Sequence, residues 1–251
     1  MEHRKVAVVT GGSEGIGLAI AMRFAAAGYA VVVASRRAEA GKAAEEQLRA
    51  HTEALWVKCD VSLEEDCAHL AAVTKERYGR TDVLVNDAGV TGKRENFMEL
   101  DTADIRRTLD VNVLGPIQTM KAFAPIMKEQ GGGVMINIGS ICGLLVNTES
   151  IAYHASKGAL RMVTQRAAME LAQYHIRVLS VAPAWVATQM AQSVMEGDPA
   201  AEAHGRSLHM SNRILTPEQI AGTVYLLAQD EASAVNGVTV MADDGYSSFK
   251  L

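Results

Sequence analysis

The sequence predicts an α/β chain built on a single doubly wound parallel sheet of about seven strands, with helices on both faces. Three observations carry this expectation. Short apolar runs alternate with amphipathic stretches along the whole chain, and that βαβ order makes successive strands parallel. Most of the runs are apolar at consecutive rather than alternate positions, as befits strands covered on both faces. Finally, the glycine-rich turn Thr10-Gly-Gly-Ser-Glu-Gly-Ile-Gly17 joins the first strand pattern to the first helix pattern. In open sheets of this kind, ligands bind at the carboxyl ends of the strands.

The elements follow in order. Val6–Thr10 is the first strand, and the glycine turn leads into a helix over Gly15–Ala27, with Gly28 placed as its stop. Ala30–Ser35 and Ala54–Cys59 are the next strands, separated by a helical pattern at Ala38–Ala50. A helix over Glu64–Tyr78 ends at Gly79, and Val83–Asn86 is the fourth strand. One long helical pattern runs Ala103–Glu129, then come strand Val134–Gly139, helix Ala152–Gln173 and strand Arg177–Ala182. Pro217–Ala228 reads as a helix and Val238–Met241 as the last strand. No low-complexity segment or internal repeat interrupts them, so residues 1–251 read as one domain.

Composition narrows the function. Hydrophobic residues make up 49% and charged residues 21%, ordinary for a globular chain. A formal net charge of -5 with no basic stripe argues against nucleic acid as a partner. No secretory h-region opens the chain and no apolar run approaches a membrane span, so no membrane association and a cytoplasmic location are expected. Cys59, Cys67 and Cys142 have neither metal-like nor disulfide-like spacing and read as reduced thiols. The histidines form no cluster, and no metal is expected.

Tyr153 and Lys157 stand four residues apart, on one helical face, and Ser140 lies thirteen residues upstream of the tyrosine. A free tyrosine has a pKa of roughly 10. A fixed ammonium nearby favours the phenolate, so the phenol is expected to titrate lower and to exchange a proton with an alcohol or alkoxide. A Ser140 hydroxyl can stabilise charge developing on a substrate oxygen. The chemistry is carbonyl/alcohol interconversion. The glycine turn, opening a helix, offers unpaired amides to a pyrophosphate, with Gly11, Gly15 and Gly17 allowing the tight approach.

These motifs together resemble the short-chain dehydrogenase/reductase family, over about Lys5 to Tyr246. They are Thr10-Gly-x-x-x-Gly-Ile-Gly17, Cys59-Asp60-Val61, Asn86-Asp-Ala-Gly89, Asn112-Val-x-Gly115, Ser140, Tyr153-x-x-x-Lys157 and Pro183 followed by Thr188. The resemblance implies a Rossmann-like fold and a catalytic set of Asn112, Ser140, Tyr153 and Lys157. In it Asn112 and its backbone anchor a water leading to Lys157. It also implies that Asp60 and Val61 hold the adenine, that Ala88 and Gly89 line the ribose region, and that Lys157 grips the nicotinamide ribose beside Tyr153. Ser13, Ile16, Asn86, Pro183, Val186 and Thr188 complete the expected cofactor contacts.

At the end of the second strand, Ala34-Ser35-Arg36-Arg37 carries no carboxylate. An acidic residue there accepts from a free 2′-hydroxyl, whereas a serine with Arg36 and Arg37 suits a 2′-phosphate. NADP(H) is therefore expected over NAD, although Glu14 stands where some NADP-preferring relatives carry a basic residue. Three residues depart from the family pattern: Asp87 for the second asparagine of Asn-Asn-Ala-Gly, Ala184 for the glycine after Pro183, and Asp244 in Asp243-Asp244-Gly245.

Ile141 to Val146 and Trp185 lead us to expect apolar walls beside the reacting carbon, and a bulky alicyclic substrate such as a hydroxysteroid or bile acid. Polyols, sugar acids and 3-oxoacyl thioesters are the alternatives. A noncatalytic NADPH-sensing protein is the reading from a different class, and the intact Ser140, Tyr153 and Lys157 argue against it. His154 and His209 are candidate contacts to a polar group. By the resemblance, residues 187–212, with Met190, Met195, Gly197, Gly205, Leu208 and Met210, form a lid. It also implies a homodimer or homotetramer built on the two long helices, with Phe249 and Leu251 of the tail reaching a neighbour.

Overall fold

A computed structural model describes residues 4–188 and 199–249. Seven strands form one parallel sheet in the order β3-β2-β1-β4-β5-β6-β7. They are β1 Val6–Thr10, β2 Ala30–Ser35, β3 Ala54–Lys58, β4 Val83–Asn86, β5 Gly133–Ile138, β6 Ile176–Pro183 and β7 Thr239–Ala242. Each expected strand is present, with ends shifted by a residue at most. Met190, Met195 and Gly197 of the expected lid, and Leu251 of the tail, lie outside the described residues.

The consecutive apolar runs are explained by a core on each face. On one face, Val9, Val33, Val85 and Ile136 pack with Ile20 and Phe24 of α1 (Gly15–Ala26), Leu48 of α2 (Ala38–Arg49) and Val224. On the other, Val8, Val32, Leu84 and Met135 pack with Leu70 of α3 (Glu64–Tyr78) and with Phe123 and Met127. Alternation along each strand sends neighbours to opposite cores. Gly28 and Gly79 both take left-handed conformations, φ 83° and 72°, which release the chain from α1 and α3.

The long helical pattern after β4 is not one regular helix. Thr102–Leu109 (α4) passes through a π-helical turn at Asp110–Leu114 into α5, Gly115–Glu129. Such a turn carries one extra residue, and it commonly marks a functional position. Here it contains Asn112. Helix α6 spans Ile151–Leu171; its N-cap, Ser150, accepts from the Tyr153 amide at 3.0 Å. That cap sets the start of the helix and hence the face on which Tyr153 and Lys157 emerge. Part of the expected lid is helical, α7 at Pro199–Ser207, followed by α8 at Pro217–Ala228 and a short α9 at Tyr246–Phe249. Asp244 adopts φ 48°, the conformation a glycine accepts more readily, and its carboxylate accepts from the Ser211 amide at 3.0 Å.

Candidate active site

β1 and β4 are neighbours whose following connections leave toward opposite edges of the sheet, so a cleft opens beyond their carboxyl ends. The glycine turn, the ends of β2 and β3, the loops after β4, β5 and β6, and helix α6 line it continuously. Arg36 stands at one end and Trp185 at the other.

The glycine turn fits a pyrophosphate. A Cβ on Gly11 would lie 2.8 Å from the Ala88 nitrogen, and one on Gly17 would lie 2.4 Å from the Gly11 oxygen. The backbone is thus folded tightly under the cleft floor. Glu14, the N-cap of α1, makes no side-chain capping bond. The opening amides of α1 remain offered to an anion, at the positive end of the helix dipole. The Glu14 carboxylate pairs instead with Arg37, which offsets its charge beside the phosphate path. At the carboxyl end of β2, Arg36 Nη1 lies 3.8 Å from Asp60 Oδ2, and Ser35 lines the same cleft.

The catalytic candidates converge on the opposite end. Lys157 is buried, donates to the Ile138 carbonyl at 2.8 Å, and holds its Nζ 5.4 Å from the Tyr153 ring centroid. Ser140 Oγ accepts from the Cys142 amide at 3.1 Å, so its own proton is available to a substrate oxygen or to Tyr153. Burial pushes the Tyr153 phenol up, against a lowering hydrogen bond from Ser140, and the nearby Cys142, Glu149 and Asp87 add to the rise. This runs opposite to the expectation of a lowered phenol: burial sets the direction, and the Lys157 ammonium spends its hydrogen bond on the Ile138 carbonyl. Burial also lowers Lys157 to about 8, with Asp87 holding it up. Asp87 itself is raised to about 7 by burial, with the Lys157 charge and the Gly17 amide pulling it down.

Three expected site residues stand behind the lining. The Asn112 side chain accepts from Val90 N at 2.9 Å and donates to Val90 O at 2.8 Å and Ser156 Oγ at 3.0 Å. Both its amide protons are therefore spent on bracing the loop after β4 against α6. Gly17 is buried beneath the turn, and its amide serves Asp87. Asn86 belongs to an internal polar ladder: it donates to Asn137 at 2.9 Å and accepts from Thr119 at 2.7 Å, and Asn137 donates on to Thr164 at 2.9 Å. Gly11, Ser13, Gly15, Ile16, Ser35, Arg36, Arg37, Asp60, Val61, Ala88, Gly89, Pro183, Val186 and Thr188 all line the cleft, as do Ser140, Tyr153 and Lys157.

The expected apolar wall is only half apolar. Ile141, Cys142 and Trp185 line the cleft, but Val146 is 92% exposed and points away with Leu144. Arg94, Asn147 and Glu149 take their place, and Arg94 pairs with Glu149 across the mouth. Neither histidine reaches this wall. His154 accepts from Asn147 N at 3.2 Å and bonds the Ser150 carbonyl at 2.9 Å, bracing the loop. His209 is buried, away from the lining, with its Nδ1 3.2 Å from Gly205 O. Glu149 is signalled in the sequence only by standing four residues before Tyr153. Arg94 sits in a loop whose path no local pattern specifies. All three cysteines are free and buried. Among the described residues no helix is long and apolar enough to cross a membrane, and no cluster suits a metal ion.

A doubly wound sheet with an open helix N-terminus at its switch point, and a lysine, tyrosine and serine at the other end of one cleft, defines the dinucleotide-binding oxidoreductases. A family model described as enoyl-(acyl carrier protein) reductase matches residues 11–247. An uncharacterized oxidoreductase of Thermotoga maritima is 38% identical over 98% of this chain and 96% of its own. The 2-(R)-hydroxypropyl-CoM dehydrogenase of Xanthobacter autotrophicus is 36% identical, over 97% of this chain and 99% of its own. The cis-4-hydroxycyclohexanecarboxylate dehydrogenase of Sinomonas cyclohexanicum is 33% identical, over 97% of both. Among solved structures, levodione reductase superposes with a TM-score of 0.93 at 29% identity, covering 98% of both chains. A single-residue variant of actinorhodin polyketide ketoreductase with NADPH gives 0.93 at 31% identity, covering 99% of both. The chain belongs to the short-chain dehydrogenase/reductase family, oxidoreductases that use a nicotinamide cofactor on alcohols and ketones.

Proposed function

We propose that this chain is an NADP(H)-dependent oxidoreductase that interconverts a ring-borne secondary alcohol and its ketone, on a substrate with a polar group remote from the reacting carbon. One observation carries the reaction: Ser140, Tyr153 and Lys157 face one cleft whose far end is an open helix N-terminus. The glycine turn and α1 would hold the pyrophosphate, Asp60 and Val61 the adenine, and Lys157 the nicotinamide ribose. The bound nicotinamide supplies or accepts the hydride. Tyr153 gives its hydroxyl proton to the oxygen of a ketone, and in the reverse direction its phenolate takes the proton of an alcohol. Ser140 donates to the same oxygen, fixing the carbonyl for that transfer. Asn112 acts through the loop and α6, which it ties together.

The cofactor preference rests on Ser35, Arg36 and Arg37, none of which carries the carboxylate that would accept from a free ribose hydroxyl. The substrate class rests on the half-apolar, half-polar wall. The name of the Sinomonas relative, a dehydrogenase of a hydroxycyclohexanecarboxylate, supports it: that substrate is a ring alcohol with a carboxylate remote from the hydroxyl. Assembly as a homodimer or homotetramer is supported by an apolar groove between α5 and α6, rimmed by Met162 at 60% exposure.

Reduced-nicotinamide absorbance with NADP and NAD, against ring alcohols with and without a carboxylate, hydroxysteroids, polyols and 3-hydroxyacyl thioesters, tests the reading. Turnover confined to ring alcohols, favouring NADP, is the expected result. Turnover of polyols or thioesters alone would reject the substrate class, and an Arg36→Asp variant with unchanged cofactor preference would reject the cofactor assignment.

A further inference from the structure

We infer that Trp56 is a specificity-determining positioning residue, whose indole N–H turns the Ser35 hydroxyl into a donor aimed at a nucleotide 2′-phosphate. The inference rests on the NADP(H) reading above. Trp56 lies on β3 opposite Val33, on the sheet face that Val33 shares with Ser35 two residues further along β2. Its Nε1 is 3.0 Å from Ser35 Oγ. An indole nitrogen can only donate, so the serine oxygen must accept this bond. A hydroxyl has one proton, and Ser35 makes no other side-chain hydrogen bond among the described residues. That proton is left to whatever occupies the cleft beside Arg36, which Ser35 lines.

The consequence is chemical. Phosphate oxygens accept hydrogen bonds, so a hydroxyl held as a donor matches them. A plain ribose is usually recognised by the opposite device, a carboxylate that accepts from its 2′-hydroxyl. Arg36 and Arg37 each already face a carboxylate, Asp60 and Glu14, whereas the Ser35 proton is uncontested. The arrangement is also held in place by packing. A Cβ on Gly41 of α2 would lie 2.0 Å from Trp56 Nε1, so only glycine lets the indole lodge between α2 and β3. The ring is half-buried and packs against the core beneath that face.

Calorimetric binding of 2′,5′-ADP and 5′-AMP to wild type, W56F, S35A and the double variant tests this without turnover. Wild type should prefer 2′,5′-ADP. W56F and S35A should each weaken 2′,5′-ADP by about three- to tenfold and 5′-AMP by less than about twofold, the loss expected of one ordinary hydrogen bond. The double variant should bind no worse than S35A, because the indole acts through the serine. Equal losses for both nucleotides, or losses that multiply in the double variant, would overturn the inference. So would S35A with undiminished preference, which decides the matter even where W56F does not fold. A wild type with no preference for 2′,5′-ADP would instead sink the NADP(H) reading, and the inference with it.

Discussion

Replacing Asp87 with asparagine should stabilise the protein at alkaline pH and leave it unchanged in acid. Asp87 follows β4, accepts from the Gly17 amide and faces the Lys157 charge, in a setting where burial dominates. Its carboxyl is raised from an ordinary 3.8 to about 7. A group whose pKa is higher folded than unfolded supports the fold below the unfolded value and loses that contribution as pH rises through the folded one. The loss therefore accumulates between about pH 4 and pH 7. At roughly 1.4 kcal/mol per pH unit the ceiling is about 4 kcal/mol. Solvent reaches part of Asp87, which reduces the expected gain to about 1–2 kcal/mol at pH 8. Asparagine keeps an oxygen to accept from Gly17 and does not titrate. Urea unfolding of both proteins at pH 4 and pH 8 gives the comparison. If the stability difference fails to grow from acid to alkaline pH, or grows in favour of wild type, the carboxyl is not strained by burial and the reasoning fails.

Tyr153→Phe should lower turnover by at least about a hundredfold, as expected for loss of a general acid, while NADPH affinity stays within about twofold; near-normal turnover would remove Tyr153 from the chemistry. Should wild type turn nothing over while binding NADPH and a protein partner, the sensor reading gains instead. Asn137→Ala should cost about 2–4 kcal/mol in urea unfolding, because it strands the Asn86 and Thr164 side chains that now meet Asn137 at 2.9 Å. A cost below about 1 kcal/mol would mean that water replaces the ladder freely. Gly41→Ala forces a methyl into the Trp56 indole and should cost about 1–3 kcal/mol by thermal or urea melting. No loss would show that the indole has room to move.

Strand positions are readable because parallel strands covered on both faces are apolar at every position, and Val6–Thr10, Ala30–Ser35 and Val83–Asn86 match the structure residue for residue. The pattern over 103–129 reads as one continuous helix because its periodicity hardly changes across one π turn, whose extra residue depends on how Asn112 meets Val90 and Ser156. From motif alone Asn86 and Asn112 read as cleft residues, but their partners, Asn137, Thr119, Val90 and Ser156, are distant in sequence. The same holds for the substrate wall, where Leu144 and Val146 turn outward and Arg94 and Glu149 come in.

What the chain alone specifies is local. Apolar periodicity, the glycine turn and the four-residue spacing of Tyr153 and Lys157 depend on interactions within a strand, a turn or a helix, and these are written in adjacent residues. Folding supplies what depends on long-range approach: the indole of Trp56 on the Ser35 hydroxyl, Arg94 on Glu149, and the burial that raises Asp87 and Tyr153 while lowering Lys157. Desolvation and hydrogen-bond pairing are properties of a side chain's surroundings, and those surroundings exist only once the sheet brings distant segments together.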